Sequence, residues 1–190
     1  IINNGAGYNA YSYLLVSEGY GCIATVVLEK FHLVNKCLEK TKEILNKMFD
    51  LKIENEKGVG GFGNFGYPPK LEENGGLVVG ESGLLQDALA GFGMRYAITS
   101  GFLAAKSIKG ECSYADTIKE RFSHQLKASI VNRFIWELAG DNIFNFVKLG
   151  RKRKDSLSDL RKLYNFQMFH QKLLYPLAFM WLNKKYRRDA

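Results

Sequence analysis

The sequence predicts an α+β protein, and three observations predict it. Two β-prone runs flank a turn within residues 10–29. A strand–loop–helix pattern rich in glycine occupies residues 75–108. Apolar residues recur at four-residue steps from Tyr114 to Ile130, the spacing of one helix face.

The first ten residues, IINNGAGYNA, place Gly5, Gly7 and Ala10 in a loose G-x-G-x-x-A pattern, with Glu29 about 20 residues on, as a ribose-binding acid would stand. We reject this match. Only Ile1 and Ile2 precede the loop, and the stretch Tyr8–Ser17 that should be helical is aromatic and β-prone.

Residues Tyr11–Val16 and Cys22–Leu28 read as strands joined at Ser17-Glu18-Gly19. His32–Phe49 reads as an amphipathic helix. Leu33, Cys37, Thr41, Leu45 and Met48 fall on its inner face, and Lys36, Glu39, Lys40 and Glu43 fall elsewhere. Lys57–Pro69 holds five glycines and two prolines, which exclude a regular helix. Its aromatics Phe62, Phe65 and Tyr67 either line a pocket or ride on a flexible connection. Leu77-Val78-Val79 reads as a short buried strand.

Gly91–Ile108 reads as a helix whose small residues (Ala97, Ser100, Gly101, Ala104, Ala105) permit close packing. A further helix is expected over Tyr114–Gly140, with Tyr114, Ile118, Phe122, Leu126 and Ile130 on its buried face. Helices continue to the end, with a break near Gly150–Asp155 and a kink at Pro176.

The chain has 190 residues, and 46% of them are hydrophobic, enough for a core. No apolar run reaches the length of a transmembrane helix, and the start carries no secretory signal pattern. Cys22, Cys37 and Cys112 lack metal spacing and are expected as small buried hydrophobes in a reducing compartment, so the expected location is cytoplasmic. His32, His124 and His170 are too far apart for a zinc motif.

Net charge is +8 and lies in the tail. Residues 151–190 carry 11 of the 27 basic residues and 3 of the 19 acidic ones, so residues 1–150 balance at 16 of each. A nucleic-acid-binding body is therefore not expected. The tail joins basic ends to an apolar middle. It reads either as a core helix pair with solvated basic caps or as a peripheral attachment to anionic lipid through Phe166, Phe169, Phe179 and Trp181.

In the loop of residues 80–93, each part suits a phosphorylated, electron-accepting ligand. An acid after a strand accepts bonds from sugar-alcohol hydroxyls. Gly83 permits close backbone approach. Gly91 and Gly93 leave the first N–H groups of the next helix uncovered, and these favour a negative charge.

The stretch resembles the second FAD-binding motif of the geranylgeranyl reductase-like flavoproteins, in the wider p-hydroxybenzoate hydroxylase-like group. Their pattern is a strand, Gly-Asp-Ala-Ala/Ser-Gly, then Asp/Asn-Pro, then Gly-x-Gly opening a long helix with Ser-Gly-x-x-Ala-Ala. Gly80, Glu81 and Gly83 match its first part. Asp87 matches the acid or amide, and Gly91-Phe92-Gly93 with Met94 matches the turn facing the flavin. The helix carries Ser100-Gly101-Phe102-Leu103-Ala104-Ala105. Glu81 replaces Asp, and Ala88 stands where proline is usual. The specific match covers roughly 35 residues.

The resemblance implies three parts: residues 1–74 as the end of an antiparallel substrate-domain sheet, 75–110 as the strand–loop–helix completing an FAD-binding fold, and 111–190 as a helical C-terminal region. It implies the C-terminal portion of an FAD-dependent oxidoreductase, a dehydrogenase or reductase. The dinucleotide-binding half is then expected upstream of Ile1. The implied substrates are hydrophobic isoprenoid-like or small organic molecules, with reduction of polyprenyl double bonds as the reaction to expect. No catalytic residue is assigned. The rival reading is a non-catalytic helical module that binds a membrane surface or a protein partner through its basic tail.

Overall fold

A computed structural model describes residues 1, 5–140 and 156–186. They form a mixed α and β protein that divides into two compact units, Ile1–Gly60 and Gly61–Ala190.

In the first unit, β1 (Ser12–Ser17) pairs antiparallel with β2 (Tyr20–Thr25), Ser17 facing Tyr20. Glu18 and Gly19 both take positive φ, 50° and 83°. That is the primed two-residue turn whose twist matches the flanking strands. Among the described residues this sheet has two strands. Helix α1 (Val34–Phe49) follows a tight turn at Phe31–Leu33 and packs against β2.

The predicted inner face of α1 holds at Cys37, Thr41 and Leu45, all buried. Met48, by contrast, is 62% exposed, because it lies in the last turn, beyond the contact made by those three residues. Asp50 ends the helix in the left-handed region, its N–H donating to Asn46 O at 2.9 Å. Cys22 is exposed on β2, contrary to its expected burial, because that part of the hairpin faces solvent.

The second unit opens with irregular chain. Asn74 and Gly75 (φ 51° and 76°) join β3 (Glu72–Glu73) to β4 (Gly76–Leu77). The expected buried strand Leu77-Val78-Val79 is thus only the end of a two-residue ladder, and Val79 is 38% exposed. The cause is the Asn-Gly turn, which pairs this segment with two glutamates rather than with a sheet.

Helix α2 spans Met94–Ile108, starting three residues later than expected because Gly91 sits at φ 68° and Gly93 occupies the cap position. It ends in a Schellman motif: Glu111 N–H donates to Lys106 O at 3.0 Å, and Gly110 N–H (φ 75°) donates to Ser107 O at 2.9 Å. Helix α3 (Tyr114–Ala139) begins at Ser113, whose hydroxyl accepts the Asp116 N–H at 3.4 Å. All five stepped residues, Tyr114 to Ile130, are buried. Helices α4 (Ser156–Tyr164) and α5 (Phe169–Tyr186) follow, and α5 runs through Pro176. The predicted break at Gly150–Asp155 lies outside the described residues.

Two apolar clusters share α3. One joins Leu85 to Tyr96, Leu103, Ala104, Tyr114, Ile118, Phe122 and Leu126. The other joins Ala88 to Ile130, Val131, Ala178 and Leu182. The loop before α2 therefore sends Leu85 into one core and Ala88 into the other. Burying Leu85 stabilises by about 1.5–3 kcal/mol and the single methyl of Ala88 by less, and packing holds the loop at both ends.

Candidate functional site

The candidate site is the path from β4 to α2. Gly80 takes φ 59°, which glycine tolerates best. Its N–H donates to Ser100 Oγ at 2.9 Å, and a Cβ there would lie 3.1 Å from Ala97 Cβ. Gly80 thus sets the close approach of the turn to α2. Tyr114 adds a second anchor, its hydroxyl donating to Val78 O at 2.7 Å.

Glu81 Oε1 accepts the Asn64 N–H at 2.5 Å. This carboxylate faces the segment around Gly63, where a Cβ would lie 3.7 Å from Glu81 Oε1 and 3.8 Å from Gln86 Oε1. At Gly83, the missing side chain leaves room for the Lys70 carbonyl, which a Cβ would approach to 2.7 Å. Lys70 N–H in turn donates to Gly83 O at 3.0 Å.

Asp87 is 2% exposed. Its carboxylate accepts the Leu89 and Ala90 N–H groups at 3.3 and 2.8 Å, and the Tyr164 hydroxyl at 3.1 Å. Burial pushes its carboxyl above the ordinary value of 3.8, opposed by those bonds and by Ser129. Asp87 is therefore the clamp of the loop and ties it to α4. The same charge, with burial as the larger cause, pushes the Tyr96 phenol up to about 12. Tyr96 packs on Phe122, ring centroids 4.8 Å apart.

At the helix mouth, Gly91 N–H donates to Asp87 O at 2.8 Å, and Asp87 N–H donates to Phe92 O at 3.2 Å. Phe92 and Met94 are 67% and 79% exposed. No side chain among the described residues caps the N-terminus of α2 at Gly93, and its first turn carries no acid. Open N–H groups at such a terminus carry partial positive charge and favour an anion.

The loop thus gathers Gly80, Gly83, Asp87, Gly91 and Gly93 into one fixed path. Phe92 and Met94 stand outward at the mouth, while Glu81 turns towards Asn64. Sequence reasoning missed Gln86. Its Nε2 donates to Gly91 O at 3.0 Å, its chain lies beside Gly93, and its Oε1 is buried without a hydrogen-bond partner among the described residues. A polar residue between two glycine pairs was the available signal.

The glycine-rich loop's aromatics separate. Phe62 is 89% exposed. Phe65 and Tyr67 pack on the second cluster beside a cleft of about 50 Å³, and Tyr67 also borders a larger cleft of about 230 Å³ with Pro68, Pro69, Leu71 and Leu126. Tyr67, Phe166 and Tyr175 surround Lys127, their ring centroids 5.4, 6.0 and 5.5 Å from its Nζ. Phe166 reaches this box from the left-handed region, φ 55°, a conformation that costs a bulky residue about 1–2 kcal/mol.

Among the described residues no three metal-ligating side chains cluster, and no helix is long and apolar enough to cross a membrane. No family model matches this chain, and the comparisons with curated proteins and with solved structures found no match.

Proposed function

We propose that the second unit is the flavin-facing C-terminal portion of an FAD-dependent oxidoreductase, membrane-peripheral in the cytoplasm, acting on a hydrophobic isoprenoid-like or small organic substrate. The observation that carries this reading is the uncapped mouth of α2 at Gly91-Phe92-Gly93, open to solvent and held by its own loop.

The residues present fit such a group at the mouth. The N–H groups of the first turn of α2 would face the electron-rich edge of the isoalloxazine ring and stabilise its reduced, anionic form. Flavin supplies the hydride or electron transfer. Glu81 Oε1 holds the Asn64 N–H, and its carboxylate would accept a ribityl hydroxyl through Oε2. Gln86 holds Gly91 in place, and its Oε1 is an acceptor that a ligand's N–H would satisfy. Asp87 positions the loop through Leu89, Ala90 and Tyr164.

A further feature supports the reading. Met94, Ile98, Phe102 and Ile108 leave an apolar stripe of α2 exposed, at 79%, 69%, 61% and 79%. A dinucleotide-binding half would cover that stripe.

The test is the absorbance spectrum of the full-length protein, where bound flavin gives two bands in the near ultraviolet and blue. Substitution Gly93→Leu should then weaken flavin retention roughly tenfold or more, because the side chain would enter the mouth. A folded, full-length protein without flavin bands would defeat the proposal. The rival, a non-catalytic module, would show no bands and retain only surface binding.

A further inference from the structure

Helix α5 has two faces of different character. Gln171, Ala178 and Leu182 are buried, and Trp181 packs on Phe134 with ring centroids 5.6 Å apart. The other face is bare. Phe169, Leu173, Leu177 and Met180 are 80%, 63%, 55% and 68% exposed. They follow at steps of four, four and three, so they form one stripe along the helix. A continuous stripe of four large apolar side chains is larger than scattered surface hydrophobes and marks an interaction surface.

The charge around the stripe is of one sign. Lys184 continues it by one more turn, and Lys172 stands exposed beside it. From Leu160 to Arg188 the chain has seven Lys or Arg residues and no acid. Of the bases on α5, Lys185 is engaged by Glu137, while no ion pair of Lys172 or Lys184 occurs among the described residues. An apolar stripe with a basic edge complements an anionic lipid surface: the side chains enter the acyl boundary and the ammonium groups meet the head groups. A protein partner would require acids of its own to match each lysine, whereas a lipid surface supplies negative charge everywhere along the helix.

We propose that α5 is a membrane-docking helix. It lies in the plane of an anionic bilayer through Phe169, Leu173, Leu177 and Met180, with Lys172 and Lys184 at the head groups. The assignment differs from the aromatic set expected from sequence. Phe166 sits in the box around Lys127, Phe179 is half-buried beside Tyr175, and Trp181 faces the core. Of that set only Phe169 is on the docking face. The inference deepens the membrane-peripheral part of the reading above and rests on it. Vesicle binding and flavin binding are nevertheless measured separately, so either can fail alone.

The experiment is co-sedimentation of the whole chain with vesicles of phosphatidylcholine alone or of phosphatidylcholine with phosphatidylglycerol. Binding is expected to the anionic vesicles and to weaken in high salt. The double variant Leu173→Glu with Leu177→Glu changes exposed residues, so its circular dichroism should match wild type while its partition falls roughly tenfold or more. Lys172→Ala and Lys184→Ala, with the stripe intact, should each weaken binding roughly fivefold. Three results would overturn the proposal: no partition into anionic vesicles at low salt, equal partition into neutral and anionic vesicles, or self-association abolished by the double glutamate variant without vesicle binding. Loss of flavin bands with vesicle binding intact would remove only the oxidoreductase reading.

Discussion

The two units are held together in different ways. The first is fastened by a knot of hydroxyls. Ser12 Oγ donates to Ala6 O at 2.6 Å, and Thr41 Oγ1 lies 2.9 Å from Ser12 Oγ and 3.1 Å from Ala6 O, with Thr25 on the same carbonyl. Its fully buried apolar residues are small or few: Ala6, Ala10, Cys37 and Leu45. The second unit is fastened by burial, with Phe122, Leu85, Ile118, Leu126 and Ile130 all at or below 1% exposure. A knot is directional and fails when one partner is lost; a core fails in proportion to the volume removed. The difference teaches that the hairpin unit is specified by positions, and the helical unit by pattern.

The comparison is broken most directly in the core. Phe122→Ala should destabilise the second unit by about 3–5 kcal/mol, read as a lower urea midpoint, and a cost near zero would mean the α2–α3 seam is not packed as described. Next comes the clamp. Asp87→Ala leaves the Leu89 and Ala90 N–H groups and the Tyr164 hydroxyl without their acceptor, at about 3 kcal/mol by thermal melting.

The same carboxylate sharpens the contrast through pH. Its folded value is raised, so the folded state holds the proton more tightly than the unfolded one. The contribution to stability is full below 3.8 and is lost as pH rises from there through the raised value. The stability difference between wild type and Asp87→Asn should therefore fall across that window and be flat above it. A difference rising with pH would mean that Asp87 is held ionised by its partners.

In the first unit, Thr41→Val keeps the shape and removes the hydroxyl, at about 1–2 kcal/mol, and should loosen hydrogen-exchange protection in β1 without touching α3. The smallest expected effect is at the hairpin turn. Gly19→Ala, at φ 83°, should cost about 1 kcal/mol, and an unchanged melting temperature would show that the turn does not set the register.

Legibility in the sequence follows the same division. The four-residue step from Tyr114 to Ile130 identified the buried face of α3, because a long helix against one core imposes its period on every turn. The face of α1 was readable at Cys37, Thr41 and Leu45 and failed at Met48, where the period continues but the packing partner does not. Three β-prone residues do not make a buried strand when Asn74-Gly75 folds them back on Glu72-Glu73. The hydroxyl knot was invisible, because it joins residues up to 35 positions apart through one carbonyl. Of the candidate site, the glycines were legible as backbone requirements. Their neighbours were not: the Lys70 carbonyl at Gly83 and the Gln86 chain at Gly93 depend on tertiary approach. The tail aromatics were read by type, whereas burial follows their phase around α5.

Leu85 and Ala88 lie three residues apart yet seat in separate clusters. The short span between them behaves like a rivet through two plates. Tilting α5 against α3, or sliding α2 along it, drags the same few peptide planes. An engineer who repacks either seam would therefore retune the entrance of α2, even without altering a single atom there.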